Sequence, residues 1–327
     1  MPELLLMGAI VFGCLFSALL TGLIINPLRA LNIRQVVRED GPETHLKKTG
    51  TPSMGGIAFL TALVIVFAPT VGIGGLSSSR AFYILGFVLA MALVGFLDDY
   101  QKIRRGGAYG FGARLRIVVE IALALVLAWE LSMDGVVPVE PGLGFSFIPA
   151  AGWLWLVFAA FVLVGTANAV NLTDGLDGLA AGLTALCALA LGVACIVTDQ
   201  LDLALLAFAV AGVSLGFLWF NAHPARIFMG DVGSLGLGAA LGGIAIAARI
   251  EVVLLITGFI FVAETLSVIG QVINFKATGR RIFKMAPLHH HFELSGWAEQ
   301  TVVSRFWIVG ACLAVVGVLI AVAGAVR

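Results

Sequence analysis

Five carboxylates fall in three short polar stretches of an otherwise apolar chain. "FLDDYQKI" carries Asp98 and Asp99, "NAVNLTDGLDG" carries Asp174 and Asp177 with Asn168 and Asn171, and "FNAHPARIFMGDVGS" carries Asp231 with Asn221 and His223. Carboxylates this close repel unless a cation or a shared proton relieves them. On a helix, adjacent side chains point about 100° apart, so one acid of "DD" can face a site while the other braces it. A solvated helix end is the simpler reading, but acids at a helix C-terminus oppose its dipole. In the second stretch the two aspartates are three apart, and so are the two asparagines, so each pair shares a helix face. An N-cap accounts for one Asp. It leaves two Asn in apolar surroundings, where polar groups are costly. The glycines of "DGLDG" and "GDVGS" predict tight turns leading into helices, which suit an anion or a metal-bridged phosphate.

Two further stretches add donors. "APLHHHFELSGW" contains His289, His290 and His291. Three consecutive histidines do not match the spacing of a zinc site. Hydrogen bonding to phosphate or sugar, with one imidazole serving proton transfer near neutral pH, fits better. "HLKKTGTPSMGG" places Lys47 and Lys48 before Thr51 and Ser53, which reads equally as a membrane-surface anchor with a helix cap or as a phosphate cradle. The basic stretch "KATGRRIFKM" is explained by anchoring alone. Glu120 and Glu264 lie inside apolar runs, as hydrogen-bonding partners or walls of a site.

The elements that position these residues follow from composition. Of 327 residues 60% are hydrophobic and 12% charged, against about 45–50% and about 25% in soluble domains; the mean hydropathy is +1.07. The chain reads as an all-α polytopic membrane protein forming one domain over residues 1–327. Ten candidate spans run approximately over 3–25, 52–72, 80–97, 115–133, 151–170, 178–198, 203–220, 233–248, 252–275 and 302–325. The eighth is short and Gly-rich, and carries the least signal. The N-terminal run has no basic residue before its apolar core, and reads as a retained span rather than a cleaved leader. Cys14, Cys187, Cys195 and Cys312 all lie in apolar runs, as buried hydrophobes without disulfide or metal spacing.

Charge assigns the sides. Of the 19 Lys and Arg, all but Arg80, Arg249 and Arg327 fall in or beside the segments 26–51, 98–114, 171–177, 221–232 and 276–301. Basic residues stay cytoplasmic, so those five segments face the cytoplasm and both termini lie outside. Segment 134–150 alternates around Pro-Gly and predicts a small external hairpin between spans four and five. A net charge of zero gives no footprint for nucleic acid.

All five carboxylates therefore reach one side of the membrane at similar depth. A hard cation relieves their repulsion, and Mg²⁺ takes one or two carboxylates plus waters and substrate phosphate. Lysines and histidines nearby can hold further phosphate. The chemistry that follows is Mg²⁺-assisted phosphoryl transfer at the membrane surface, with a lipid as one reactant.

From Arg38 to Trp297, "REDGPETHLKKTGTPSMGG", "FLDDYQKI", "NAVNLTDGLDGLA", "FNAHPARIFMGDVGS" and "MAPLHHHFELSGW" occur in the order found in the phospho-N-acetylmuramoyl-pentapeptide transferases, a family the chain resembles over nearly its whole length. The Asp-Asp and Asp-Gly motifs belong to the wider superfamily of polyprenyl-phosphate sugar-phosphate transferases; "PLHHHFE" is specific to this branch. The resemblance implies transfer of phospho-MurNAc-pentapeptide from UDP-MurNAc-pentapeptide to undecaprenyl phosphate, giving lipid I and UMP, in a Mg²⁺-dependent, ten-span homodimer of the bacterial inner membrane. It implies Asp231 as metal ligand, and Asp98, with Asp99 beside it, as the acid that deprotonates the lipid phosphate or acts as nucleophile; both are candidate metal ligands too. His290 is implied as a catalytic position. Lys48, Ser53, Asn168, Asn171, Asp174, Asp177, Asn221, Phe228, His289 and His291 are implied as substrate contacts. Family members often carry Thr at the position of Ser53; the hydroxyl is kept.

Two rivals remain at this stage. A sister transferase would use a UDP-N-acetylhexosamine, and the histidine segment argues against it. An ion-coupled transporter would line a path with acids near the midplane, whereas here the polar residues collect on one side.

Overall fold

The structure is a computed structural model of the chain. It describes residues 2–31, 33, 50–74, 79–105, 110, 112–134, 143–144 and 152–325, with the backbone alone for 70–74. Every element among them is helical: α1 (Pro2–Ala30), α2 (Gly56–Gly74), α3 (Ser79–Arg105), α4 (Ala113–Met133), α5 (Trp153–Thr173), α6 (Leu179–Val197), α7 (Leu201–Asn221), α8 (Gly230–Ala248), α9 (Glu251–Thr257), α10 (Phe259–Thr278), α11 (Leu288–Glu293) and α12 (Glu299–Ala325). Eight of these, α1, α3, α5, α6, α7, α8, α10 and α12, are long and apolar enough to cross a membrane. The chain is a multi-pass membrane protein.

Each of the other two expected spans is a helix as well. α2 has a shorter apolar stretch, Gly56–Pro69, and α4 carries Arg114, Arg116, Glu120 and Glu130 along its length. The ninth expected span is broken: α9 ends at Thr257 and α10 begins at Phe259, with Gly258 between them. Most of the hairpin expected at 134–150 lies outside the described residues. Leu143 within it is fully buried, and its carbonyl accepts the Val252 N–H at 2.9 Å.

The Gly-rich run that gave the weakest span signal forms the centre of the bundle. α8 is 94% buried over its apolar stretch. Lipid tails are as apolar as the helices, so packing in a membrane depends on close approach, and small residues permit it. α8 meets α2 at Gly56 and Gly233, and the backbone of Asp231 lies against Gly95 of α3; a side chain at either glycine would collide. These contacts clamp the first turn of α8 between α2 and α3 and so fix Asp231 in space.

Helix ends, more than loops, carry the candidate residues. α3 continues past the expected end of its span to Arg105, so Asp98, Asp99 and Lys102 sit on its last turns. α5 continues to Thr173, so Asn168 and Asn171 are helical too. Intrahelical bonding satisfies the backbone beyond the apolar run, and side chains placed there are held rather than mobile.

Candidate active site

Four helices converge on the Asp231 carboxylate. Its Oδ2 accepts Lys102 Nζ of α3 at 2.9 Å and an Arg116 guanidinium N–H of α4 at 3.0 Å. Its Oδ1 accepts the Asn171 amide of α5 at 2.9 Å. Lys102 also pairs with Asp98 at 2.6 Å, one helical turn back, so a single ammonium is shared by two carboxylates. The same Asn171 amide donates to Ser234 Oγ at 2.8 Å, one turn into α8.

Arg116 organises the outer side of this group. Its Nε donates to Glu120 Oε1 at 2.9 Å, and its second terminal nitrogen to Asn168 Oδ1 at 3.1 Å and Asn171 Oδ1 at 3.3 Å. Asn168 in turn donates to Glu120 Oε2 at 2.6 Å. Glu120 is fully buried; a charge there is tolerable because Arg116 and Asn168 hold both of its oxygens. The planar guanidinium serves four partners in fixed directions, which an ammonium would not match.

The two adjacent acids do separate things. Asp98 is 3% exposed and pairs with Lys102, facing Asp231. Asp99 points to the backbone: its Oδ2 accepts the Val232 N–H at 3.2 Å and lies where a side chain at residue 230 would be. Gly230 has φ +71°, so glycine is required there on two counts. Asp99 thus satisfies an orphan donor at the start of α8 and favours its positive end. The three expected metal acids do not form one cluster: Asp98 and Asp231 share a centre, and Asp99 braces the helix that carries Asp231. Among the described residues, the trio whose acid and imidazole atoms all lie within 4.8 Å of one another is Asp177, His223 and Glu299.

The "DGLDG" turn and its surroundings act as a scaffold. Asp177 is 4% exposed and accepts the Ala225 N–H at 3.0 Å, with His223 Nδ1 also at 3.0 Å. Asn221 is buried, donates to the Ile227 carbonyl at 3.0 Å and accepts the Gly178 N–H at 3.2 Å. These bonds hold the α7–α8 connection on the α5–α6 turn. Asp174 caps α5, its N–H donating to Val170 O at 3.1 Å. Ser53 is buried, with its Oγ beside Gly230. Phe228 is half-buried, and its backbone pairs with Pro52 and Gly55 at 2.9 and 2.8 Å. Lys48 lies outside the described residues.

The three histidines part ways, as 100° steps around α11 require. His289 is fully buried, with Nδ1 3.3 Å from Glu264 Oε1 of α10 and its backbone N–H 3.2 Å from the same oxygen. Its ring packs on Gly175, where no side chain would fit. His290 Nδ1 is 2.8 Å from Glu293. His291 accepts the Lys284 N–H at 3.2 Å. They do not converge on one ion. The His289–Gly175 contact brings the histidine segment onto the "DGLDG" turn and joins two motifs that are more than a hundred residues apart.

Lys102 and Arg116 entered the sequence reading only as basic residues that fix sidedness. Their signal was the four-residue spacing of Asp98–Lys102 and Arg116–Glu120, which places each pair on one helix face.

A family model described as glycosyl transferase family 4 matches residues 81–249, a stretch that holds the whole Asp98–Arg116–Asn168–Asn171–Asp231 network. The class is therefore that of a membrane transferase. Relatives include proteins named phospho-N-acetylmuramoyl-pentapeptide-transferase from Bacillus pumilus (strain SAFR-032), 44% identical over 324 residues, and Bacillus subtilis (strain 168), 43% identical over 327 residues; each match covers 98% of this chain and 99% of the relative. Another from Desulforamulus reducens is 44% identical over 298 residues, 89% of this chain and 88% of the relative. The chain belongs to glycosyl transferase family 4 and, within it, to the phospho-N-acetylmuramoyl-pentapeptide transferases. The histidine segment lies outside the residues matched by the broader family model and within the nearly full-length matches.

Proposed function

We propose that the protein transfers phospho-MurNAc-pentapeptide from UDP-MurNAc-pentapeptide to undecaprenyl phosphate on the cytoplasmic face of the bacterial inner membrane, forming lipid I for peptidoglycan synthesis. A lipid-phosphate oxygen attacks the phosphorus that bears the sugar. The bridging P–O bond of the diphosphate breaks, and UMP leaves with the electron pair. The observation that carries this reading is the cation-sized point common to Asp98 and Asp231, marked by Lys102 Nζ at 2.6 and 2.9 Å from their oxygens.

That donor set suits Mg²⁺: two hard carboxylates, with room left for water and phosphate oxygens. Bound there, the ion would neutralise charge on the diphosphate. The chain's own residues supply the rest. Asp98 takes the proton of the lipid phosphate. Lys102 and Arg116, freed in part from Asp231, hold the developing phosphate charge. Asn168 and Asn171 keep the guanidinium in place. Lys48 and His290 serve as further phosphate and sugar contacts.

The same reading has ten crossings, with α2 and α4 spanning and α9 and α10 making one broken crossing, both termini outside, and two chains assembling as a homodimer. It is supported by the concentration of Lys and Arg on the side of Asp98 and Asp231.

The test uses purified full-length protein in detergent with Mg²⁺, undecaprenyl phosphate and either UDP-MurNAc-pentapeptide or UDP-N-acetylglucosamine. UMP release and a lipid-linked product are expected with the first nucleotide sugar and lost on chelation. Equal turnover of the second, or no UMP from either, would overturn the reading.

A further inference from the structure

Beyond Thr278, where α10 ends, the chain turns back along the helix instead of running on into water. Gly279, at φ +68°, makes the turn in a left-handed conformation. The Asn274 amide donates to the Arg280 carbonyl at 2.7 Å. The Gln271 side chain accepts the Ile282 and Phe283 N–H groups at 2.9 and 3.0 Å and donates to the Phe283 carbonyl at 2.9 Å. The result is a hook, residues 279–284, whose Ile282 and Phe283 return to the level of Gln271, about 10 Å back along α10 from its end. At that level the exposed side chains of α10 are still apolar, Val272, Ile273 and Phe275, and Ile282 is exposed with them. Membrane sidedness explains why this segment is basic; it does not require the segment to fold back.

We infer that this hook enters the headgroup layer of the cytoplasmic leaflet and binds anionic phospholipids, with Ile282 at the apolar boundary and Lys276, Arg280 and Arg281 meeting lipid phosphates. Three observations carry this. The first is charge. Lys276, Arg280 and Arg281 are exposed, and among the described residues none of them pairs with an acid. Cations so placed are drawn to anionic headgroups, and a guanidinium fork matches a phosphate. The second is pattern. Apolar and basic side chains are exposed together on one short segment, as in elements that lie in the membrane interface. A water-soluble anion would be met as well by charges alone; Ile282 and Phe275 among them favour a lipid, whose acyl chains begin where its headgroup ends. The third is stiffness. Beyond the bonds to Gln271 and Asn274, the Lys284 N–H donates to His291 Nδ1 at 3.2 Å and Lys284 Nζ to the Leu294 carbonyl at 3.0 Å. The hook is held at both ends, so little freedom is lost when a lipid binds. The inference takes only the leaflet from the function proposed above, and lipid retention tests it independently of turnover.

Full-length protein in mild detergent is mixed with phosphatidylglycerol and phosphatidylcholine of identical acyl chains, and the lipids retained are counted by native mass spectrometry. Preferential retention of phosphatidylglycerol is expected. Arg280→Gln with Arg281→Gln should cut that preference about tenfold, and Arg280→Lys with Arg281→Lys should keep most of it. Arg104→Gln with Arg105→Gln removes the same charge from the exposed end of α3 and should retain lipid as the parent does. If the Arg280 and Arg281 glutamine variant does not elute as the parent does, Ile282→Asp decides: a carboxylate there should repel phosphatidylglycerol and leave phosphatidylcholine retention unchanged. Equal retention of the two lipids by the parent, an undiminished preference in the hook variants, or an equal loss in the Arg104 and Arg105 variant overturns the inference whatever the outcome of the UMP assay.

Discussion

Lys102 Nζ stands 2.9 Å from Asp231 Oδ2, and this contact ties the end of α3 to the start of α8 across 129 residues of sequence. The same nitrogen holds Asp98. A built-in cation thus occupies the point where a metal ion and a substrate diphosphate would meet. On the proposed reading Lys102 has two opposed effects: it screens the acids from each other, and it would compete with a metal ion for them. Lys102→Met removes the competitor. The concentration of Mg²⁺ needed for half-maximal turnover should fall by about tenfold, equivalent to about 1.4 kcal/mol, while turnover itself drops for lack of the phosphate-binding charge. Titration of UMP release against Mg²⁺ reads both. A rise in the Mg²⁺ requirement would show that Lys102 assists metal binding.

Arg116 makes the second prediction. Glu120 is 0% exposed and depends on Arg116 for its balancing charge. Removing that partner leaves a buried, uncompensated carboxylate, which costs about 3–5 kcal/mol. Arg116→Met should lower the thermal stability accordingly, and the double variant Arg116→Met with Glu120→Gln should recover a large part of it. Neither should restore turnover, because Asp231 and Asn171 have lost their guanidinium. Arg116→Lys keeps the charge but not the fork, and should fall between the parent and Arg116→Met in both measurements. Full recovery of activity in the double variant would exclude a positioning role for Arg116.

These residues also show where the sequence was readable. Asp98, Asp231, Asn168 and Asn171 stood out because acids and amides are expensive inside apolar runs, and the fold does bring them together. Lys102 and Arg116 did not stand out, because a cation near a span end already has an explanation in membrane sidedness. The split of Asp98 from Asp99 was legible as 100° on a helix, but which of the two faced the site depended on α8 packing against α3. The Gly-rich α8 read as the weakest span for the reason that makes it central: small residues lower hydropathy and permit close packing. The bonds from Asp177 to the Ala225 N–H and from Asn221 to Gly178 and Ile227 join distant segments, which no local pattern specifies. The break at Gly258 left no clear mark, since one glycine in an apolar run is common in membrane helices.

The division of labour between the neighbouring acids gives a third prediction. Asp99 accepts a backbone N–H, and an asparagine oxygen at that position can still accept it. In the proposed transfer Asp98 takes the proton of the lipid phosphate, which an asparagine amide cannot do. Asp99→Asn should retain the fold and a measurable fraction of turnover. Asp98→Asn should lose at least about a hundredfold, within the range found when a group that transfers a proton is removed. Steady-state UMP release with both substrates saturating compares the two. Equal losses would mean that Asp99 also reaches the substrate.

The last prediction concerns the turn that positions Asp231. Gly230 has φ +71°, and its α-carbon faces the Asp99 carboxylate so closely that a methyl group would collide with Oδ2. Gly270, in the middle of α10, has no neighbour within 4 Å of where a methyl would be. The same Gly→Ala change should therefore act in opposite directions. At Gly270 it removes backbone freedom from a helix at no steric cost, and should stabilise the protein by about 0.5–1 kcal/mol. At Gly230 it imposes a left-handed conformation costing about 1–2 kcal/mol and displaces Asp99 from the Val232 N–H. Gly230→Ala should lower the thermal midpoint and also reduce turnover beyond what the stability loss explains, because the first turn of α8 carries Asp231. Comparing turnover well below each variant's midpoint separates the two effects. If Gly230→Ala were stable and fully active, the approach of Asp99 to the start of α8 would not control the placement of Asp231.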